Sequence, residues 1–267
     1  AATGFFINRT VFSCFLIFCF FSGIEYLKKI DDFRKNDSDI FFNKIYIRIF
    51  LLLITIGIIT SFSRLGNFLF ISLIVFYILQ ALYINDKKNR FFLITLILFI
   101  LFDVLILGFY FGSEKLLQRY SFIQNEISVN LPSSTEFSFN RLSLAKFAFI
   151  EFKKFIFFGY GGGGFEYLFK VNFQNLSTIY AEHAHSDLIQ FIGEFGLIGF
   201  TLVLLSLVIA CTRKKFFTFK NFLLCYVLFF IIIFDFSLHI PIIQFLFVLL
   251  LSINYERSDN FEYKFRD

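Results

Sequence analysis

The chain of 267 residues is 58% hydrophobic and 22% aromatic, with 48 Phe, two Pro and a formal net charge of +5. A soluble domain of this length needs far less apolar surface, so the composition indicates an integral membrane protein and excludes a soluble globular fold. No Gly/Ser linker marks off a second, soluble domain. The positive charge is explained by basic loops between apolar runs, so it does not indicate nucleic-acid binding.

The sequence begins AATGFF and contains no Met, so we expect a fragment that lacks the true N-terminus of its parent protein. Residues 1–9 do not have the pattern of a signal peptide. All four cysteines lie inside apolar runs and none forms a CxxC pair, namely Cys14, Cys19, Cys211 and Cys225. This pattern predicts neither a disulfide framework nor a thiolate metal site.

Apolar runs long enough to cross about 30 Å of hydrocarbon as helices recur along the chain. Seven spans are predicted, near residues 10–27, 45–63, 65–84, 91–112, 196–212, 216–235 and 239–254. The second and third spans meet around Arg64 in a tight hairpin, and a helix that begins near His185 can extend the fifth span backward. The predicted fold class is all-α, a polytopic transmembrane helical bundle that forms a single domain over residues 1–267.

Basic residues predict the orientation of this bundle, because short loops rich in Lys and Arg stay on the cytoplasmic side. Most of the Lys and Arg residues fall in Lys28–Arg48, Asp86–Arg90, Thr212–Lys220 and the tail Asn254–Asp267. The opposite, outer side then receives Arg64, the long loop 113–195 and all three histidines, which are His183, His185 and His239.

The long outer loop is predicted to contain helices and a glycine run. The stretch RLSLAKFAFIEFKKFIFF has apolar residues at helical spacing, which predicts a helix on the membrane face that ends at Gly159–Gly164. Two interpretations of the glycines remain open: a flexible helix end and hinge, or a backbone that passes close to a phosphate or sugar. A nucleotide-type phosphate loop is excluded, because no Lys-Ser or Lys-Thr follows.

The segment EHAHSDLIQFIGEF, which follows Ala181, is predicted to be helical. In a helix, one face would hold His185, Ile189 and Ile192, and a polar stripe beside it would hold His183, Asp187, Gln190 and Glu194. An acidic residue in the first turn favours a helix N-terminus at Asp187. Three glycines at small-residue spacing predict a face that another helix can approach closely, namely Gly193, Gly196 and Gly199.

Two neighbouring elements resemble the O-antigen ligase family. His185-Ser186, followed after nine residues by Gly196-Leu197-Ile198-Gly199, resembles the family signature H-[NSQ]-x9-G-x-x-[GTY]. The stretch GYGGGGF at residues 159–165 is similar to the G-x-G-x-G-x-F element that precedes that signature in the family.

Three further elements, each with an arginine, extend the resemblance over nearly the whole chain. Ser63-Arg64-Leu65-Gly66 is similar to the S-R-x-G element of the family, and Asn140-Arg141 lies where the family carries its second arginine. Residues 4–9, GFFINR, resemble the G-x-F-x-N-R segment. Family members have about a dozen spans, so we expect several N-terminal helices to be missing from this sequence.

The resemblance implies a glycosyltransferase type C-like membrane fold with a large helical periplasmic loop over 113–195 that carries the active site. It implies a multi-pass protein of the bacterial inner membrane that transfers a glycan from undecaprenyl diphosphate to an acceptor hydroxyl, such as lipid A-core, with inversion. His185 would be the general base. Arg64 and Arg141 would hold the diphosphate, so no metal and no cofactor is expected. His183, Asp235, Gly161 and Gly163 are possible supporting residues.

Simpler roles remain open for several of these residues. His183 could shape the loop, Arg64 could reach lipid headgroups, and Arg141 could be a solvated first-turn residue. Asp235 is more simply interpreted as an interfacial cap, and His239 as a hairpin residue.

Other functions also remain open. Within the same family, the chain could be an O-antigen polymerase or a protein O-glycosyl ligase. A polysaccharide flippase or transporter would place polar groups along several spans and carry internal repeats, which the sequence does not. A purely structural membrane subunit would give no reason for histidines and arginines to collect on one side.

Overall fold

All regular structure among the described residues is helical. The computed structural model describes residues 2–30, 37–84, 92, 94–99, 101, 141–173, 181–212 and 218–263. Its elements are α1 (Arg9–Lys29), α2 (Asp37–Ser61), α3 (Arg64–Ile84), α4 (Arg141–Phe152), α5 (Gly164–Asn172), α6 (Asp187–Cys211), α7 (Phe219–Phe234), a 3-10 turn (Ser237–His239) and α8 (Pro241–Tyr263). The predicted all-α class is therefore confirmed.

Four helices are long and apolar enough to cross a membrane, and they lie at Arg9–Lys29, Asp39–Ser61, Arg64–Tyr83 and Asp187–Ile209. Shorter apolar helices cover Phe219–Phe234 and Pro241–Ile253, where the sixth and seventh spans are predicted. The fourth predicted span, 91–112, falls mostly outside the described residues. The chain is thus a multi-pass membrane protein with a helical bundle.

The chain divides into two compact units, of which the first comprises Ala1–Leu117 with Phe245–Leu250 and the second Gln118–Gln244 with Leu251–Asp267. In the first unit, α1 packs against α2 and α3. Two glycines allow the close contact of α1 with α2, because a Cβ on Gly23 would stand 2.7 Å from Leu51 and one on Gly57 would stand 2.7 Å from Leu16.

Two capped helix starts lie at one end of the first unit. The Asn8 side chain accepts a hydrogen bond from the Thr10 N–H at 2.8 Å and caps α1. The Ser63 hydroxyl accepts from the Gly66 N–H at 3.1 Å and caps α3. Phe62, with φ of 54°, reverses the chain between α2 and α3, so the predicted hairpin is confirmed. Arg64 is the first residue of α3.

The second unit holds α4, α5, α6, α7 and the 3-10 turn, and a small aromatic core lies between α4, α5 and the start of α6. The Phe147 ring contacts three other Phe rings at centroid distances of 5.3 to 6.0 Å, which belong to Phe165, Phe169 and Phe173. The core continues to Ala181 and Ala184, just before α6. Because burial of these apolar groups stabilises the fold, the core fixes the segment that carries the two neighbouring histidines.

Candidate active site

Helix α6 is interrupted at Gly196, which adopts φ of 65° and ψ of −173° inside an otherwise helical run. The break leaves residues 187–195 and 197–211 as two half-helices. The last carbonyls of the first half and the first N–H groups of the second then lack their partners within the helix. Such groups are costly to leave unpaired within a membrane protein, so another segment must satisfy them.

The turn that precedes α5 satisfies these groups on both sides of the break. The N–H groups of Tyr160 and Gly161 donate to the carbonyls of Gly193 and Glu194, at 2.9 and 3.0 Å. The N–H groups of Leu197 and Ile198 donate to the carbonyls of Ile156 and Phe157, at 2.9 and 3.1 Å. We call these four hydrogen bonds, between residues 156–161 and 193–198, the glycine joint.

The glycine joint requires glycine at several positions. A Cβ on Gly159 would overlap the Glu194 carbonyl, and one on Gly196 would overlap the Phe157 carbonyl. A Cβ on Gly193 would meet the Tyr160 ring at 2.7 Å. Gly159 and Gly196 also have φ of 72° and 65°, which glycine adopts without strain. The glycine element at residues 159–165 and the histidine signature that includes Gly196 therefore meet in one backbone contact.

Three predictions about this region are wrong. The helix predicted from RLSLAKFAFIEFKKFIFF ends at Phe152, because a series of turns begins at Lys153, well before the glycines. The segment that approaches Gly193 and Gly196 is a turn, whereas another helix was predicted. His183 and His185 precede α6 instead of lying on its faces, because the helix begins only at Asp187.

The two histidines lie in a short loop that a buried polar chain holds in place. Ala184, between them, donates its N–H to the Gln190 Oε1 at 3.0 Å, and the Gln190 Nε2 donates to the Glu194 Oε1 at 2.9 Å. His185 has φ of 56°, a left-handed conformation that a non-glycine residue adopts only when its surroundings enforce it. The predicted proximity of Gln190 and Glu194 on one stripe is confirmed.

Asp187, the first residue of α6, binds the loop that joins α7 to α8. Its N–H donates to the Asp235 carbonyl at 3.0 Å. Its Oδ2 accepts from the Leu238 N–H at 2.9 Å, and its Oδ1 accepts from the Nδ1–H of His239 at 2.5 Å. The two segments that carry the histidines are thereby held together.

Phe236 contacts the rings of both neighbouring histidines. Its ring stacks on His183 with a centroid distance of 4.9 Å and meets His185 edge-on, also at 4.9 Å. The His239 ring lies 4.6 Å from that of His183. All three histidines of the chain thus occupy one site.

Arg141, the first residue of α4, brings a positive charge to the same site. Its guanidinium Nη1 lies 3.4 Å from the Oδ1 of Asp235, whose side chain is fully buried. The Ser237 hydroxyl donates to the other oxygen of Asp235. Arg141 itself is 46% exposed, so its guanidinium is partly in contact with solvent.

The environment shifts the pKa values of these groups in different directions. Burial, the charge of Arg141 and the charge of His183, in that order of size, together lower the pKa of His185 to about 4. Burial also lowers the pKa of His183. The hydrogen bond to Asp187 raises the pKa of His239.

Asp235 is shifted in the direction expected for a buried acid. Burial raises its pKa to about 6, although the Ser237 hydroxyl and Arg141 act the other way. At neutral pH, His185 is therefore an uncharged imidazole beside a guanidinium, and Asp235 is mostly ionised.

The structure brings together His185, Arg141, His183 and Asp235 of the predicted site residues. Arg64 belongs to the other compact unit. Gly161 and Gly163 have φ of 95° and 72°, with open space where a Cβ would stand. The described residues contain no group of acidic, histidine and cysteine side chains that could hold a metal ion.

Sequence reasoning did not assign Phe236, Asp187 or His239 to the site, and it interpreted His239 as a hairpin residue. Phe236 carried no signal, since it is one of 48 Phe. Asp187 was predicted as a helix-start residue, but nothing in the sequence linked it to His239, 52 residues away.

Comparison with known proteins identifies the family of the chain. The sequence profile of a family described as O-Antigen ligase matches residues 49–204, more than half of the chain. No curated protein and no solved structure is detectably similar to the chain. The matched region includes Arg64, Arg141, the glycine joint and the first two histidines. The chain belongs to the O-antigen ligase family.

Proposed function

We propose that the protein transfers a glycan from undecaprenyl diphosphate to an acceptor hydroxyl of lipid A-core, on the periplasmic face of the inner membrane. The family is one of membrane enzymes that ligate or polymerise glycans, and it supports this general activity. The observation that carries the specific proposal is the location of a neutral imidazole beside an exposed guanidinium, in His185 and Arg141.

In the proposed reaction, His185 is the general base. The acceptor hydroxyl oxygen attacks the anomeric carbon, and its proton passes to the imidazole. The bond from that carbon to the diphosphate oxygen breaks, and the lipid diphosphate leaves with the electron pair, so a single displacement inverts the anomeric centre. A histidine must be unprotonated to accept this proton, and the lowered pKa of His185 keeps it so at neutral pH.

A pKa of about 4 makes His185 a weak base in the free protein, and donor binding would strengthen it. The charge of Arg141 is one cause of the lowered pKa. A diphosphate bound to Arg141 would offset that charge, so the pKa of His185 would rise when the donor is in place. The base would then become effective only in the presence of the leaving group.

Arg141 would hold the diphosphate because a guanidinium binds phosphate oxygens in a two-pronged geometry. Its partner Asp235 is buried, and the ion pair with this carboxylate fixes the position of the guanidinium. A role for Arg64, which begins α3 behind the Ser63 cap, stays a prediction from the family resemblance.

Polymerisation is the second candidate, because the same family includes enzymes that join one lipid-linked repeat to another. The chemistry at His185 and Arg141 would be identical, and only the acceptor would differ.

Expression of the protein in a strain that lacks O-antigen ligase distinguishes these functions. We expect the wild type to restore polymer on lipid A-core, and His185→Ala to leave the polymer on the undecaprenyl carrier. A loss of chain extension in the variant would favour the polymerase. Normal attachment with His185→Ala would remove His185 from the chemistry.

Arg141 has a matched control in the same helix. Arg141→Ala should lower transfer by about a hundredfold or more. Lys146→Ala, which removes a positive charge one turn later in α4, should leave transfer near the wild-type rate. Equal losses in both variants would indicate a general charge effect and contradict the assignment.

A further inference from the structure

His185 has an unfavourable backbone conformation, and its ring nitrogen Nδ1 lacks a hydrogen-bond partner among the described residues. Its φ of 56° is rare for a residue with a side chain. Its Nδ1 is buried and has no hydrogen-bond partner among the described residues. General-base histidines are commonly oriented by a partner at the second ring nitrogen. Another contact must therefore orient this ring.

The Phe236 ring is placed to do so. It meets the His185 ring at 77°, an edge-to-face geometry, with the centroids 4.9 Å apart. Its face stacks on His183 at 23° and the same distance. The Phe236 ring, which also stacks on His183, thus restricts the rotation of the His185 ring toward it.

Asp187 fixes Phe236 through hydrogen bonds to the residues that precede and follow it in the chain. The residue before Phe236 accepts the Asp187 N–H through its carbonyl, at 3.0 Å. The second and third residues after it, Leu238 and His239, both donate to the Asp187 carboxylate. Asp187 is itself only 5% exposed, so these hydrogen bonds are sheltered from water.

We propose that Phe236 is a positioning residue that sets the ring of His185, and that Asp187 acts through Phe236 by fixing its loop. The inference rests on the role of His185 proposed above. Because Asp187 follows His185 by two residues, the same residue anchors both ends of the contact. Neither Phe236 nor Asp187 needs to touch the substrate.

The charged and titratable groups around His185 come from two helix starts and two loops. Arg141 comes from the start of α4, and His183 from its own loop, and both lower the pKa of His185. Asp235 and His239 lie on the loop that carries Phe236, and Asp187 begins α6. Replacing Phe236 by a smaller residue leaves all of these groups in place and admits water to His185.

Nuclear magnetic resonance of the purified full chain with ¹⁵N-labelled histidine tests this directly, since the chain has only three histidines. Phe236→Leu should shift the His185 ring signals and move the pKa of His185 upward, toward its ordinary value. Turnover should fall about tenfold or more, with a smaller change in the donor KM. The matched control is Phe234→Leu, which removes an exposed ring at the end of α7 and should leave the His185 signals unchanged.

Asp187→Asn is the second variant, because it keeps the Phe236 ring and replaces the carboxylate that accepts from Leu238 and His239. It should shift the His185 signals in the same direction as Phe236→Leu. Unchanged His185 signals in a folded Phe236→Leu variant would overturn the role of Phe236, and unchanged signals in Asp187→Asn would overturn that of Asp187.

The spectroscopic result does not depend on transfer activity. If Phe236→Leu shifts the His185 signals while His185→Ala still transfers glycan normally, the positioning contact stands and the proposed function fails. If the signals do not move while His185→Ala is inactive, the proposed function stands and the positioning role fails.

Discussion

Gly159 and Gly196 touch each other through their backbones, because a Cβ on Gly196 would stand only 2.5 Å from the Gly159 nitrogen. Both have φ values in the left-handed region. The contact joins the G-x-G-x-G-x-F element to the histidine signature, so the two motifs form one structural unit. Gly161 and Gly163 differ, because only their φ values, and no neighbouring atoms, require glycine.

Gly196→Ala and Gly159→Ala should each destabilise the protein by more than about 2 kcal/mol, since each adds a Cβ to a backbone contact and strains φ. The measurement is the thermal midpoint of the protein in detergent. Gly162→Ala is the matched control, because its Cβ would stand 3.5 Å from the Phe195 ring, an ordinary contact. A similar midpoint for all three variants would contradict the steric explanation.

The stability of the site should depend on pH in two opposing ways. His185 has a pKa lowered from 6.5 to about 4, so it binds fewer protons in the folded state, and its contribution to stability rises between pH 4 and 6.5. Asp235 has a pKa raised from 3.8 to about 6, so it binds more protons when folded, and its contribution falls between pH 3.8 and 6.

Variants separate these two contributions. Compared with the wild type, His185→Gln should lose stability as the pH rises from 4 to 6.5, and Asp235→Asn should gain it. Thermal midpoints at several pH values, taken as differences from the wild type, provide the measurement. The same sign for both variants would contradict the shifted pKa values.

Arg141 and Asp235 should be coupled in stability. Arg141→Gln leaves a buried carboxylate without its cation, whereas Asp235→Asn leaves an exposed guanidinium that water can solvate. We expect a coupling of about 1 kcal/mol, because Arg141 is partly exposed. A double-mutant cycle of thermal or denaturant midpoints measures it, and additive effects would indicate that the pair does not interact.

Gln190 should affect transfer through the histidine loop, because it accepts the hydrogen bond from Ala184 between the two histidines. Gln190→Leu should lower turnover by about tenfold while changing the donor KM less. Thr201→Val provides a control in the same helix, since it removes only a local hydrogen bond on an exposed side of α6. An unchanged turnover in Gln190→Leu would show that the loop holds its shape without this bond.

Tyr160→Phe should be neutral or slightly stabilising. The Tyr160 hydroxyl is buried and has no hydrogen-bond partner among the described residues, and burial raises its pKa beside Glu194 and Glu151. Removing an unpaired buried polar group relieves its desolvation cost, on the order of 1 kcal/mol. The ring, which packs on Gly193, is kept. A clear loss of thermal stability would indicate that the hydroxyl is satisfied in solution.

The helical spans were predictable because they depend on local apolar runs. The α2–α3 hairpin was also predictable, since polar residues around Arg64 interrupt the hydrophobic pattern. The break at Gly196 was not, because the surrounding run is continuously apolar and glycine is common in membrane helices. The turn that pairs with the free backbone groups at this break lies about 35 residues earlier in the chain. No local sequence pattern predicts a pairing between segments so far apart.

The candidate site was likewise predictable where it depends on local motifs and unpredictable where it depends on long-range contacts. His185 and Arg141 were found through motif resemblance, and the structure places them at one site. The left-handed backbone of His185 could not be predicted, because only tertiary contacts impose it on a side chain of this size. The contact of Phe236 with both histidines depends on a loop about 50 residues away along the chain.

The four hydrogen bonds across Gly196 also constrain how the protein is assembled in its membrane. Residues 156–161 leave the ribosome before α6, yet neither segment can satisfy its backbone until both have emerged. The broken helix therefore cannot reach its final shape by inserting as an independent, straight helix. It must complete its fold after insertion, when it docks onto residues 156–161.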